Sequence, residues 1–273
     1  MPRTTDAHPH GSPTFPCGQP RKRKCSGFLV VQEGVCRTFP YQVKILPFLE
    51  RLKKLTLPFP APDSCLVYLV RHGATEHNLA QPPRLQGRRL NAPLAPEGRR
   101  QAERTAQLLA QVRLEAVYTS PLLRARQTAE LIALPHQAPL YEVEAFTEID
   151  VGRWEGMDWA SIRQQAPQWY ALFEADAGRH GYPEGENFQQ VQERTVAALA
   201  QILPRHLGQA IAIVAHNVVN RCLLAHVLGI PLAQYRRITQ DNCGVSILRF
   251  QGEKMKVITL NAVFHLLDGQ TID

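Results

Sequence analysis

What this chain of 273 residues lacks narrows its chemistry before any motif is considered. It has no CxxC pair, and its six cysteines (Cys17, Cys25, Cys36, Cys65, Cys222, Cys243) are scattered, so reduced thiols are expected rather than a disulfide framework. It has no HExxH, and His72 and His77 stand five apart, the wrong spacing for two ligands on one helical face. No metal centre is expected, despite ten histidines. Neither GxxxxGK[ST] nor GxGxxG occurs, which leaves nucleotide-loop chemistry without support. No run approaches the roughly 18 apolar residues of a membrane span, and residues 28–31 are too short for a signal core. A cytoplasmic protein without membrane contact is the expectation.

Acidic residues are also in deficit, 24 against 31 Lys and Arg, for a formal charge of +7. The imbalance is local. Residues 1–63 hold 10 basic against 4 acidic residues, which leaves 21 against 20 for the rest. A near-neutral remainder offers no broad field to polynucleotides, so no nucleic-acid partner is expected for it, and any attraction of an anion there must be local.

Residues 1–26 are rich in Pro, Gly, Ser and His, carry a basic cluster at 21–24 and show no periodicity. They read as a disordered extension, or as the product of an upstream start. A weak helical pattern at 39–54 precedes a proline-rich break, and the boundary is drawn at Asp63, giving an extension (1–63) and one domain (64–273). Within 64–273, β-rich runs at 66–70, 116–118, 140–143, 211–215, 244–250 and 255–260 are interleaved with helical patterns at 96–111, 122–133, 187–206 and 218–228. That rhythm predicts an α/β protein, a three-layer α/β/α sandwich on a mostly parallel sheet, with ligands at the carboxyl ends of the strands.

The first strand delivers Arg71, His72 and Gly73 in LVYLVRHGATEHN (66–78), and three further motifs follow: TSPLLRARQTA (119–129), FTEIDVGRWEG (146–156) and IVAHNVVNR (213–221). Taken as residue types, these suggest anion chemistry. Paired guanidinium groups suit phosphate oxygens, a neutral imidazole can be a nucleophile, and a buried carboxyl can move a proton near neutral pH. Composition and spacing alone do not choose among Glu148, Asp150 and Glu155, and Arg126 reads as solvated.

Together the four motifs resemble the histidine phosphatase superfamily. The resemblance implies a phosphoglycerate mutase-like fold with a small helical cap, and it makes His72 the residue that becomes phosphohistidine. It implies Arg71, Arg124 and His216 as phosphoryl-binding partners, with Glu148 as the proton donor. By the same resemblance Thr75, Asn78, Gln86 and Gly87 contact substrate. The resemblance also sets Asn217 beside the substrate, where the family usually has Gly, so the close backbone approach that Gly allows must be achieved otherwise. Asn91 replaces a common Asp and reads as structural.

The expected function is that of a metal-independent phosphomonoesterase, a phosphoric monoester hydrolase of the histidine acid phosphatase type, acting on a small phosphorylated metabolite without a cofactor. Substrate choice is expected in 157–188, where Trp159, Trp169, Tyr170 and Phe173 read mainly as cap packing. Arg163 and Arg179 follow the motif's own Arg153 there, with Arg194 just beyond, and so compact and weakly basic a cap favours hydrolysis over mutase chemistry. The alternatives are a cofactor-dependent phosphoglycerate mutase and, since no central group is missing, more weakly a noncatalytic phospho-ligand module. A homodimer is left open.

Overall fold

A computed structural model of the chain describes residues 57–267. They belong to a compact unit spanning Thr56–Asp273, and the expectations for residues 1–54 lie outside the described residues. Tyr68 Oη donates to Pro58 O at 3.1 Å, so the chain just ahead of Asp63 is already packed on the sheet.

Six strands form one sheet: β1 (Ser64–Arg71), β2 (Leu114–Thr119), β3 (Leu140–Glu142), β4 (Ala210–Ala215), β5 (Val245–Gln251) and β6 (Lys254–Ala262). Their order is β3-β2-β4-β1-β5-β6, with β3, β2, β4 and β1 mutually parallel and β5 and β6 antiparallel. Strand β1 is apolar without alternation because both of its faces are covered. Cys65, Val67 and Leu69 pack into a core shared with Phe188–Ile202 (the longest helix) and Asn217–Leu228, whereas Leu66, Tyr68 and Val70 pack against Pro96–Leu109 and Leu123–Ala133. That two-residue period, read on opposite faces of one strand, makes the three layers.

In chain order the helices are α1 (Glu76–Leu79), α2 (Pro96–Leu109), α3 (Leu123–Ala133), α4 (Trp159–Gln165), α5 (Pro167–Ala175), α6 (Ala177–His180), α7 (Phe188–Ile202) and α8 (Asn217–Leu228). The expected helix at 187–206 ends earlier, at Ile202, and finishes as a 3₁₀ turn (Leu203–His206), because Pro204 has no amide to continue the ladder. Helices α4 to α6 form the cap. Phe173 sits at its centre, with ring centroids 5.7 Å from Trp154, 5.7 Å from Trp159 and 4.8 Å from Tyr182.

The chain leaves β1 toward α2 on one face and leaves β4 toward α8 on the other. Neighbouring parallel strands whose connections diverge open a crevice beyond their carboxyl ends, and the pairing Arg71↔Ala215 sets Arg71-His72 and His216 level across it. The turn after β1 then presses against the start of α2. A Cβ on Gly98 would fall inside the van der Waals radius of Ala74 O and within 2.6 Å of Ala74 N, and a Cβ on Gly73 would strike Gly98 O.

Replacing Gly98 by Ala must therefore push the turn that carries His72 away from α2. The expected cost is about 2–3 kcal/mol, measured as a lower denaturation midpoint without loss of secondary structure.

Candidate active site

His72 is 3% exposed and is fixed by its own chain. Its Nδ1 lies 2.7 Å from Gly73 O, and because a carbonyl only accepts, the ring proton is on Nδ1 and Nε2 keeps its lone pair. Arg124 Nε donates to that nitrogen at 3.3 Å, while its Nη1 and Nη2 donate to Leu90 O and Gly87 O, each at 3.0 Å. Burial, and then the charges of Arg124 and Arg71, hold the His72 imidazole well below its ordinary pKa. That shift favours the uncharged ring.

His216 caps α8 from the end of β4, with its ring centroid 5.1 Å from that of His72. It is fully buried and neither ring nitrogen has a partner, an expensive state for a polar group unless a ligand completes it. Burial first, then Arg124, His72 and Arg71, keep it neutral as well. Arg71 donates through Nη1 to Gln240 O at 2.6 Å, and its buried Nε has no acceptor. Although burial lowers the guanidinium to about 10, it remains a cation at physiological pH.

Of the three competing carboxylates, one faces the crevice. Glu155 Oε1 accepts from Gly87 N at 2.6 Å and its Oε2 from Arg89 N at 3.3 Å, so it braces the 86–90 loop. Asp150 pairs with Arg89 at 3.0 Å and accepts from Gly152 N at 2.8 Å. Glu148, buried on the cavity wall, accepts from Ile149 N at 2.9 Å and from Val218 N, in the first turn of α8, at 3.3 Å. Burial raises its pKa despite these amides and the nearby arginines, which favours the protonated acid.

A cavity of about 570 Å³ opens here, lined by Arg71, His72, Asn78, Gln86, Glu148 and Asn217 among others. Two residues expected at the substrate, Thr75 and Gly87, are set back from the cavity wall. Thr75 is fully buried, its hydroxyl 2.7 Å from Gln86 Oε1 and 3.1 Å from Asn78 Oδ1, so it orients two wall residues and does not line the wall itself. Gly87 is buried too: its carbonyl is spent on Arg124 and its amide on Glu155. Arg124 and His216 lie behind His72 rather than on the open wall. Asn91 proves structural, its Oδ1 accepting from Leu123 N at the start of α3 at 2.6 Å.

Some contributors escaped the sequence. The turn before β5 clamps the site: Asn242 Nδ2 donates to His72 O at 2.9 Å and to Asn78 Oδ1 at 3.3 Å, and Cys243 N donates to Arg71 O at 2.9 Å. With Asn78 Oδ1 occupied by these donors and by Thr75, its amide nitrogen is left for the cavity. The signal was a polar Gln-Asp-Asn stretch ahead of a strand that pairs with β1, legible only once that pairing is known. The weakly basic cap is also corrected, because Arg84, Arg221 and Arg236 reach the cavity wall from outside 157–188, alongside Arg163. Among the described residues no group of three or more His, Cys, Asp or Glu is arranged to hold a metal ion, and no helix is long and apolar enough to cross a membrane. Cys65, Cys222 and Cys243 are buried free thiols.

Residues 67–263 match the model of the histidine phosphatase superfamily, branch 1. The chain belongs to that superfamily. Phosphoserine phosphatase 1 of Hydrogenobacter thermophilus is 29% identical over 198 residues, covering 72% of this chain and 92% of that protein. A probable phosphoglycerate mutase GpmB of Klebsiella pneumoniae subsp. pneumoniae is 32% identical over 185 residues, covering 68% of this chain and 85% of its own. Among solved structures, Bacillus stearothermophilus YhfR superposes with a TM-score of 0.69 at 33% identity, over 74% of this chain and all (100%) of that one.

Two imidazoles neutral in the fold but titrating near pH 6.5 when unfolded make stability pH-dependent. The unfolded chain binds more protons below that pH, so stability present above about 6.5 is lost as pH falls, with a limiting slope of about 3 kcal/mol per pH unit for the pair. Denaturant titrations at pH 7 and pH 5 should show this slope, and His216→Asn should remove about half of the pair's share.

Proposed function

We propose that this protein is a phosphomonoesterase that hydrolyses a small phosphorylated metabolite through a phosphohistidine at His72 and needs no metal. The observation that carries the reading is the His72 Nε2 lone pair, held neutral between the Arg71 and Arg124 cations with the buried Glu148 acid across the cavity. Nε2 attacks phosphorus in line as the bond to the leaving oxygen breaks, and Glu148 gives its proton to that oxygen, releasing the alcohol. Arg71, the Asn78 amide and His216 donate to the phosphoryl oxygens, and Arg124 swings from Nε2 to the charge that develops beside it. Water then attacks phosphorus and its proton passes to the Glu148 carboxylate. The nitrogen–phosphorus bond breaks, which returns neutral His72 and frees inorganic phosphate.

Hydrolysis is favoured by the relative named as a phosphoserine phosphatase, which this chain matches over most of both lengths. Mutase action is the second reading, supported by the relatives named as probable phosphoglycerate mutases and by a cavity richer in arginine than the cap suggested. Interconversion of 2- and 3-phosphoglycerate faster than phosphate release would favour it. The domain is proposed to act independently of residues 1–63.

With p-nitrophenyl phosphate in excess chelator, wild-type turnover is expected to persist and His72→Ala to lose at least about 10³-fold, together with acid-labile label from ³²P-substrate. Undiminished turnover by that variant would refute the nucleophile. Glu148→Gln should slow alkyl phosphates by about 10²-fold or more and aryl phosphates far less, because only a poor leaving group needs the proton. Equal losses on the two classes would remove Glu148 from the acid role.

A further inference from the structure

The turn that clamps the site is itself held from outside. Residues 239–244 touch the machinery at four points: Gln240 O accepts from Arg71 Nη1 at 2.6 Å, Cys243 N donates to Arg71 O at 2.9 Å, and Asn242 Nδ2 donates to His72 O at 2.9 Å and to Asn78 Oδ1 at 3.3 Å. Its backbone is strained, with Cys243 in the left-handed region at φ 57°, a state that persists only when the surroundings over-determine it. Thr239 and Asp241 are exposed, so burial alone does not fix the outer half of the turn.

Asn261, near the end of β6, supplies the missing restraint. Its Oδ1 accepts from Asp241 N at 2.9 Å, and its Nδ2 donates to Asp241 Oδ2 at 2.6 Å and to Thr239 Oγ1 at 3.5 Å. Every hydrogen bond of that side chain among the described residues therefore goes to the turn. The fit is close, since a Cβ on Gly244 would lie 2.2 Å from Asn261 Oδ1. Asn261 does not line the cavity, so substrate contact does not account for it.

Strand β6 is distorted to aim this amide. Val245 pairs with Ala262 and Ile247 with Thr259, so β6 fits one more residue than β5 into that interval. Asn261 takes up the irregularity at φ 48°, and its amide donates to Ser246 Oγ at 3.0 Å. A bulge of this kind bends a strand and redirects a side chain, and Asn is among the few residues that tolerate the left-handed region. Just beyond, His265 Nε2 lies 2.9 Å from Thr105 Oγ1 and Leu266 O accepts from Arg104 Nη1 at 2.6 Å. These contacts fasten the end of the chain to α2, the helix that presses on the turn carrying His72.

We infer that Asn261 is a positioning residue for phosphoryl transfer: it fixes the 239–244 turn, and through it the direction of Arg71 and the seating of His72 and Asn78. This rests on the phosphomonoesterase reading and adds to it a residue outside the cavity. A turn released to shift by about 1 Å would tilt the Arg71 guanidinium and the imidazole out of line, which costs on the order of 10- to 100-fold in the chemical step.

The test uses the full-length chain, with each variant assayed well below its own denaturation midpoint. Asn261→Gly removes the amide but keeps a residue that accepts the left-handed backbone. It should lower kcat on p-nitrophenyl phosphate about tenfold or more with KM changed by less than about threefold. Inorganic vanadate takes the five-coordinate geometry of in-line transfer, so its calorimetric affinity should fall about tenfold while that of inorganic phosphate changes by less than about threefold. Exchanging the pair, Asn261→Asp together with Asp241→Asn, rebuilds both contacts with carboxylate and amide interchanged, and should recover most of kcat and of the vanadate affinity. Unchanged kcat in Asn261→Gly overturns the inference, and so does a loss that the exchange fails to recover. If the wild type turns over no phosphomonoester, the hydrolase reading fails on its own. Vanadate then decides: weaker binding in Asn261→Gly that the exchange recovers still supports the brace, and equal binding rejects it.

Discussion

Everything at this site depends on β1 and β4 lying side by side, parallel and in the register Arg71↔Ala215. That pairing sets two imidazoles 5.1 Å apart at the bottom of a crevice whose nearest charges are positive. Removal from water and cationic neighbours act in the same direction on both rings, so each is kept uncharged where a solvated histidine would be partly protonated. Two uncharged rings, one with its Nε2 lone pair facing Arg124, are the result. The antiparallel neighbour on the other side of β1 adds the third restraint, since the turn before β5 holds the backbone of Arg71 and His72 and orients Asn78.

The electrostatics of the site are therefore unbalanced by construction. Buried guanidinium groups satisfied by carbonyls and an imidazole, with no ion-paired carboxylate among the described residues, are costly. A carboxylate in the same cavity would ordinarily cancel part of that field. Burial raises the pKa of Glu148 and so works against that cancellation, in the direction that also suits a proton donor. One physical condition, exclusion of water, thus sets the reactivity of the histidines and of the acid alike.

Much of this was legible in the sequence, for reasons that differ from residue to residue. Strands β1 and β4 announce themselves as unbroken apolar runs because helices cover both of their faces, and the residues at their carboxyl ends, His72 and His216, follow from that placement. The α8 helix could be read from residue 218 onward, one residue inside its true start at Asn217. What stayed hidden depends on pairings that no local pattern encodes. Thr75 and Gly87 sit in motif positions that suggest contact with substrate, yet the fold turns both inward as supports. Arg221 was in plain view inside a motif, but that it reaches the cavity wall over the Tyr235 ring is seen only in the assembled structure. The cap's sparse basic content misled because the cavity takes arginines from α8, from the loop after α1 and from the turn before Ile238 as well.

The segment 84–90 serves two masters. Gln86 and Arg84 stand on the cavity wall, while the carbonyls of Gly87 and Leu90 tether the guanidinium that touches His72. A backbone shift in this loop therefore displaces the wall and the His72 contact together, whereas Trp159, Arg163 and Tyr170 of the cap line the same cavity without a hydrogen bond to that guanidinium.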